Sequence, residues 1–334
     1  MISSQPAQFR NSEVAIGLDL FRTMIRIRAF EEAASEAHRA GDIPGTLHLS
    51  IGQEAVPTGT CSVLRRDDFV SSTHRGHGHC LAKGAQARAM MAELFGRNDG
   101  CCGGKGGSMH IADFGQGMLG ANGVVAAGIG IAVGAAQACQ LRKTDRIAVA
   151  FFGDGAVNRG PFMEALNWAA LFRLPIVFVC EDNGYAAFTR SSETTAGEGA
   201  AARAKACGVT SLQIDGNDAL AVRKAAEEAV ATARRGSGPT LIHAVTYRLF
   251  GHTIADRAMY RPASELAEHQ SRDPIERHSQ VLTALGVTGE QLDDITNNAR
   301  SEMSDAVAFA RGSAWPAGAA LFADVQDLGA PVWP

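Results

Sequence analysis

Apolar residues recur at helical spacing through residues 14–40, where Leu18, Phe21, Met24, Ile25 and Phe30 sit among charges. That stripe predicts an amphipathic helix stopped by Gly41, then a loop around Ile43, Pro44 and Gly45. Residues 52–64 read as a second, shorter helix. From 71 to 125 the chain is loop-rich, with glycine and histidine clusters in STHRGHGH, CCGGKGGSMH and GANGVV, before a small-residue helix over 128–142.

The most regular stretch follows. Residues 146–152 (RIAVAFF) and 175–180 (PIVFVC) are short runs apolar on both faces, as strands inside a parallel sheet must be. A helix over 161–172, with Pro161 in its first turn, separates them. Strands over 209–215 and 240–249 flank a helix near 218–235, and this alternation predicts an α/β fold, a three-layer parallel sheet with helices on both faces. After Pro262 the pattern turns to charged amphipathic helix, with Thr288 and Gln291 as a capping box for a helix ending near 311. The expected division is an N-terminal helical segment (1–65), a central α/β domain (66–262) and a C-terminal helical cap (263–334), together one structural unit.

Composition narrows the function classes. The 334 residues carry 31 Lys+Arg against 35 Asp+Glu, which argues against a nucleic-acid or anionic-membrane surface. No stretch reads as a secretory signal or a membrane span. The seven cysteines are scattered, with no CxxC pair, and are expected to be reduced and structural in a cytoplasmic protein.

The candidate chemistry lies at two strand ends. Ligands of open parallel sheets bind beyond the carboxyl ends of the strands. Gly153-Asp154-Gly155 follows the first buried strand and Asn183 the second, with residues 156–182 between. If the strands are neighbours, a carboxylate and an amide oxygen reach one point, a hard donor pair suited to Mg²⁺ beside phosphate oxygens. The glycines admit an anion close to the backbone, and a following helix start favours phosphate.

This pattern resembles the thiamine-diphosphate fingerprint. The segment GDGAVNRGPFMEALNWAALFRLPIVFVCEDNGYA, with GQEA (52–55), GGSMH (106–110), GANGVV (120–125) and YRLFGHT (247–253), is similar to the α subunit of the E1 components of 2-oxo-acid dehydrogenase complexes, over roughly residues 15–325. STHRGHGHCLAKG (72–84), GKGGSMHIAD and GMLGANG look most like the acetoin dehydrogenase branch. The resemblance implies a thiamine-diphosphate-binding fold. It implies that Asp154 and Asn183 hold Mg²⁺ by side chains and Tyr185 by its carbonyl, with Gly153, Gly155 and Ala156 along the diphosphate. It also implies Arg75 and neighbouring His74 at the diphosphate, Gly123 and Val125 with backbone toward the aminopyrimidine, and His252 near the reaction centre as the catalytic acid–base group.

It implies partners too: a β subunit supplying the activating glutamate in an α2β2 heterotetramer, and a lipoyl-bearing E2 acyltransferase. The expected activity is cleavage of acetoin or decarboxylation of pyruvate, with a branched-chain 2-oxo acid as a further alternative. Three positions depart from the family pattern. His74 stands where tyrosine is usual, Asp182-Asn183 replaces Asn-Asn, and Ala255-Asp256-Arg257 replaces Ser-Asp-Pro.

Other readings are weaker. His74, His77, His79 and His110 lack the spacing of a zinc site, and the adjacent Cys101 and Cys102 lack a spaced partner pair. Gly128-Ile129-Gly130 with Gly134 is only a distant relative of the dinucleotide motif. A non-catalytic assembly subunit is the alternative from outside enzymology, and the retained Asp154, Asn183, Arg75 and His252 argue against it.

Overall fold

The computed structural model describes residues 7–323, with side chains from residue 12 onward; the ends of the expected first and last segments, 1–6 and 324–334, lie outside the described residues. Helix α1 spans Ala7–Arg39 and buries Leu20, Met24, Ile27, Phe30, Ala34 and Ala37, one continuous face. It ends as the sequence predicts. Gly41, at φ +85°, lets its own N–H reach His38 O and the N–H of Asp42 reach Ala37 O, closing the last turn. Helix α2, Ala55–Cys61, is entirely buried and shorter than the expected 52–64.

The segment read as loop-rich holds more structure than its sequence suggests. It contains strand β1 (Phe69–Ser71), helices α3 (His77–Ala82) and α4 (Ala87–Leu94), and strand β2 (Met118–Gly120). Three-residue strands and single-turn helices are too short for a periodic signal. Helix α5 (Ala127–Leu141) leads to β3 (Ala148–Gly153), then to α6 (Gly160–Leu171) and β4 (Ile176–Asp182). A small hairpin, β5 (Tyr185–Ala186) with β6 (Thr189–Arg190), precedes α7 (Ser191–Thr194) and α8 (Gly199–Ala206). Strand β7 (Thr210–Asp215), helix α9 (Ala219–Arg234) and strand β8 (Thr240–Val245) complete the alternation. Helices α10 (Ala263–Gln270), α11 (Pro274–Ala284) and α12 (Gly289–Gly312) follow, and α12 carries the expected Thr288–Gln291 capping box and packs on α1 and α4.

The sheet has the order β2-β1-β3-β4-β8-β7, with every pairing parallel. This is the expected α/β fold. Residues 148–152 are buried on both faces: Val149 and Phe151 pack toward α1 and α9, while Ala148, Ala150 and Phe152 pack toward α5 and α6. Strand β8 stops at Val245, four residues before the expected end. Thr246 there turns its N–H to Asp182 O at 2.8 Å and its hydroxyl to Asn217 at 2.6 Å.

This order contains a topological switch. From β1 the chain runs outward to β2, then crosses back over β1 to β3. Loops leaving β1 and β3 therefore part in opposite directions and leave a crevice at the carboxyl edge.

Candidate active site

A cavity of about 430 Å³ fills that crevice. Its lining includes His74 and Arg75 from the loop after β1, Gly123 and Val125 before α5, and Gly153, Asp154, Gly155 and Ala156 after β3. Asn183 and Tyr185 after β4 and His252 after β8 complete the set, so every residue singled out from sequence faces one space. Strand register explains the central pair. Gly153 pairs with Glu181, so Asp154 and Asn183 emerge one and two residues beyond paired positions of adjacent strands. Both are buried, at 5% and 6% exposure.

Asp154 accepts a hydrogen bond from the Ser191 hydroxyl, and Asn183 donates to Gln53 Oε1 at 3.1 Å. Among the described residues the Asn183 side-chain oxygen meets only the Tyr185 N–H, at 3.3 Å. Burial raises the Asp154 pKa, the Ser191 hydrogen bond opposes that rise, and the Asp182 carboxylate adds to it. Among the described residues no cation pairs with this carboxylate directly, and the more distant Arg248 offsets its charge only in part. A dication bonded to Asp154 and Asn183 would supply the missing charge, so the donor set fits Mg²⁺. At Gly155 an added Cβ would lie 3.1 Å from Ala186 Cβ and crowd the hairpin, so glycine here leaves the backbone accessible to an anion. Asp182 faces away and accepts from His243 Nε2 at 2.8 Å, which explains why the second residue of Asp182-Asn183 is the one in the cavity.

Arg75 is 4% exposed. It donates to Leu49 O at 2.8 Å and His252 O at 2.8 Å, and lies 3.0 Å from His252 Nδ1. Burial first, then the Arg248 guanidinium, lowers its pKa to about 9, and a bound anion would relieve both. Asp256 orders the His252 loop. Its carboxylate accepts the His252 N–H at 2.6 Å, the Ala258 N–H at 2.8 Å and the Tyr260 hydroxyl at 2.9 Å. The departure at 255–257 thus keeps the residue that shapes the loop. Ala126 and Ala187, both on the cavity wall, hold φ of +74° and +53°, local strain of the kind that gathers at functional sites.

Among the lining or contacting residues to which the sequence assigns no role are His48, Gln53, Ser191 and Arg248. Gln53 was visible only inside GQEA. His48 was visible only as a polar residue in the run LHL. His48 and His74 approach at 4.8 Å between ring centroids, and His48 and His252 at 5.1 Å. The remaining histidines do not gather as a metal site. His77 bonds Glu31 and Ser108 at 2.8 and 2.9 Å, His79 bonds Ser72 at 2.7 Å, and His110 is exposed.

Burial, followed by Arg75, lowers His48 and His252 to about 4 and His74 to about 2. An unfolded imidazole titrates near ~6.5. Below that pH the unfolded chain binds protons that the folded chain refuses, so stability present above ~6.5 falls on acidification toward pH ~4. Thermal unfolding scanned across this window should show Tm falling with pH, and less steeply in His74→Phe. An identical slope in the variant would contradict the assignment.

A family profile described as dehydrogenase E1 component matches residues 22–317. The chain belongs to the dehydrogenase E1 component family. It is 44% identical over 307 residues to the α subunit of acetoin:2,6-dichlorophenolindophenol oxidoreductase of Bacillus subtilis, covering 92% of each chain. The protein of the same name from Cupriavidus necator is 42% identical, covering 92% of this chain and 93% of its own. The pyruvate dehydrogenase E1 component α subunit of Rhizobium meliloti is 40% identical, covering 92% and 89%. The expected family resemblance is thereby established, and these members of the E1 component family are oxidoreductase subunits. Among the described residues no helix is long and apolar enough to cross a membrane.

Proposed function

We propose that this chain is the α subunit of a thiamine-diphosphate-dependent acetoin dehydrogenase E1. The observation that carries the reading is the convergence of buried Asp154 and Asn183 on one cavity that also holds Arg75 and His252. Asp154, Asn183 and the Tyr185 carbonyl hold Mg²⁺. Gly153, Gly155 and Ala156 offer backbone to the diphosphate, with His74, Arg75 and His252 around it, and Gly123 and Val125 face the aminopyrimidine. Thiamine diphosphate, when bound, supplies the carbon nucleophile and electron sink for breaking a C–C bond beside a carbonyl.

His252 stays neutral at pH 7, and because its Nδ1 accepts from the Arg75 guanidinium its one proton sits on Nε2, where it can be donated to a reacting oxygen. The Asp256 contacts hold it at the cavity mouth. Arg75 itself is positioned by Leu49 O, so its charge meets an anion without reorganisation.

A partner is part of the reading. Val124 and Val125 are exposed at the cavity mouth, and Ile131 of α5 with Met163, Trp168 and Leu171 of α6 are exposed apolar residues nearby in the fold. A β subunit covering them would close the site and bring the acidic group that activates the cofactor, giving an α2β2 assembly that passes its acyl group to a lipoyl-bearing E2. The seven free cysteines suit a reducing, cytoplasmic compartment.

Identities of 44% and 42% to acetoin oxidoreductase subunits support acetoin; identities near 40% to pyruvate dehydrogenase subunits keep pyruvate as the second reading. The test is dye reduction by the chain reconstituted with its β subunit, thiamine diphosphate and Mg²⁺, offered each substrate in turn. Acetoin should give the higher kcat/KM. Preference for pyruvate would move the assignment to the second reading, and bound cofactor without turnover on either would leave only an assembly role.

A further inference from the structure

The loop between α4 and β2 is built around one carboxylate. Glu93 is fully buried, and its Oε2 accepts the N–H groups of Cys102 at 2.8 Å and Gly104 at 2.9 Å, while Oε1 accepts Gly106 at 2.7 Å and Gly107 at 3.1 Å. Four donors occupy the lone pairs of an ionised carboxylate. Although Glu93, Cys101 and Cys102 bring their ligand atoms within 4.8 Å of one another, the oxygen has no free pair to give a cation. What the cradle does fix is a pair of adjacent thiols.

Cys101 and Cys102 are partly exposed, whereas Cys61, Cys80, Cys139 and Cys180 are buried. Cys102 Sγ accepts the Ala112 N–H at 3.2 Å. A hydrogen bond from the Cys101 thiol lowers the Cys102 thiol to about 7, against the opposing effect of burial. Cys102 Sγ also lies 3.5 Å from Ala112 O and 3.7 Å from His110 O, and the Glu93 carboxylate opposes its ionisation. It is nevertheless partly exposed, accepts an N–H and lies within 4.8 Å of the Cys101 sulfur, so the two thiols are placed to close on oxidation.

We propose that Cys101 and Cys102 form a peroxide-responsive dithiol that closes to a reversible disulfide and loosens the neighbouring wall of the cavity. The Cys102 thiolate attacks one peroxide oxygen, the O–O bond breaks, and hydroxide leaves to become water, giving a sulfenic acid. Cys101 sulfur then attacks that sulfur, forming the S–S bond and releasing a second water. Two thiols and one hydrogen peroxide become one disulfide and two waters, with two electrons passing from sulfur to peroxide.

The mechanical consequence follows from covalent geometry. Neighbouring Cα atoms lie ~3.8 Å apart, closer than the ~4.4–6.8 Å of ordinary disulfides, so ring closure must twist the Cys101–Cys102 peptide. That peptide carries the N–H on Glu93 Oε2, and Cys102 Sγ is the acceptor for Ala112. Between them lie Met109, which lines the cavity, and His110, whose ring abuts Gly123 of the cavity wall. The dithiol stands on its own observations; only an effect on cofactor binding rests on the function proposed above.

The full-length chain would be treated with hydrogen peroxide, blocked with N-ethylmaleimide and digested with trypsin, which releases residues 98–105 with both cysteines. The peptide should emerge two hydrogens lighter, lose both alkylation sites and regain them after dithiothreitol. In Cys101→Ser the reaction should stop at a sulfenic acid on Cys102 that dimedone traps. Deuterium exchange over residues 106–113 should rise on oxidation of the wild type and not of Cys101→Ser. Full alkylation of the peptide after peroxide, a cross-link to another chain, or prior oxidation of Cys207 would overturn the dithiol. A closed disulfide with unchanged exchange would overturn its coupling to the cavity.

Discussion

Asp154→Ala is expected to abolish Mg²⁺-dependent binding of thiamine diphosphate and to leave the unliganded protein at least as stable as the wild type. In the free protein the carboxylate is buried and its pKa is raised by that burial, so its charge is a cost to the fold rather than a support. Ser191, which loses its acceptor, can turn its hydroxyl to the neighbouring Asp182 carboxylate. Binding is different. Removal of roughly two charge-assisted interactions of about 1.5 kcal/mol each weakens it by about 100-fold or more. Calorimetry should therefore show no heat with cofactor plus Mg²⁺, while thermal unfolding without ligand shows an unchanged or raised Tm. The ligand-induced rise in Tm should disappear. A variant that binds normally would remove Asp154 from the metal site; one that simply unfolds would make it structural.

Glu31→Ala carries the largest expected loss of stability. Glu31 is fully buried on α1 and accepts the Ser50 N–H at 2.9 Å, the Ser50 hydroxyl at 2.7 Å and His77 Nδ1 at 2.8 Å. It ties the first helix to the loop before α2 and to the helix that follows Arg75. Burial opposes its ionisation, but His77 and Ser50 together bring the carboxyl pKa below its ordinary value. Stability from this group is present above the unfolded carboxyl pKa of ~4.3 and is lost as pH falls through the lower folded pKa. Removal of one partner from a buried ionic network costs about 3–5 kcal/mol. Urea unfolding at pH 7 should show the midpoint falling by that free energy divided by the slope m, with m unchanged. A loss under about 1 kcal/mol would mean that the network is dispensable.

The parts of this molecule that declare themselves in sequence are those where one physical demand covers many residues. Strands β3 and β4 must bury both faces, so RIAVAFF and PIVFVC are apolar throughout and were legible with their ends within two residues. The long stripe of α1 and the Thr288–Gln291 box were legible for the same reason. Strands β1 and β2 were not, since three residues carry no period, and the switch point they create could not be read.

The site divides similarly. Asp154 and Asn183 were readable because each follows a recognisable strand. His48 reaches the cavity only through packing against His74 and His252, which are distant in the chain, and nothing local marks it; Arg248 was visible only inside YRLFGHT. Glu93 is a further case. A glutamate in the last turn of a helix looks solvent-exposed, yet four N–H groups from the following glycine-rich loop bury it.

The most direct test replaces Mg²⁺ by Mn²⁺ in crystals grown with thiamine diphosphate and locates the ion by its anomalous scattering. The account predicts one manganese at ~2.0–2.2 Å from a side-chain oxygen of Asp154, a side-chain oxygen of Asn183 and the Tyr185 carbonyl, with diphosphate oxygens and water completing an octahedron. Manganese bound elsewhere, with Asp154 still held only by Ser191, would contradict it.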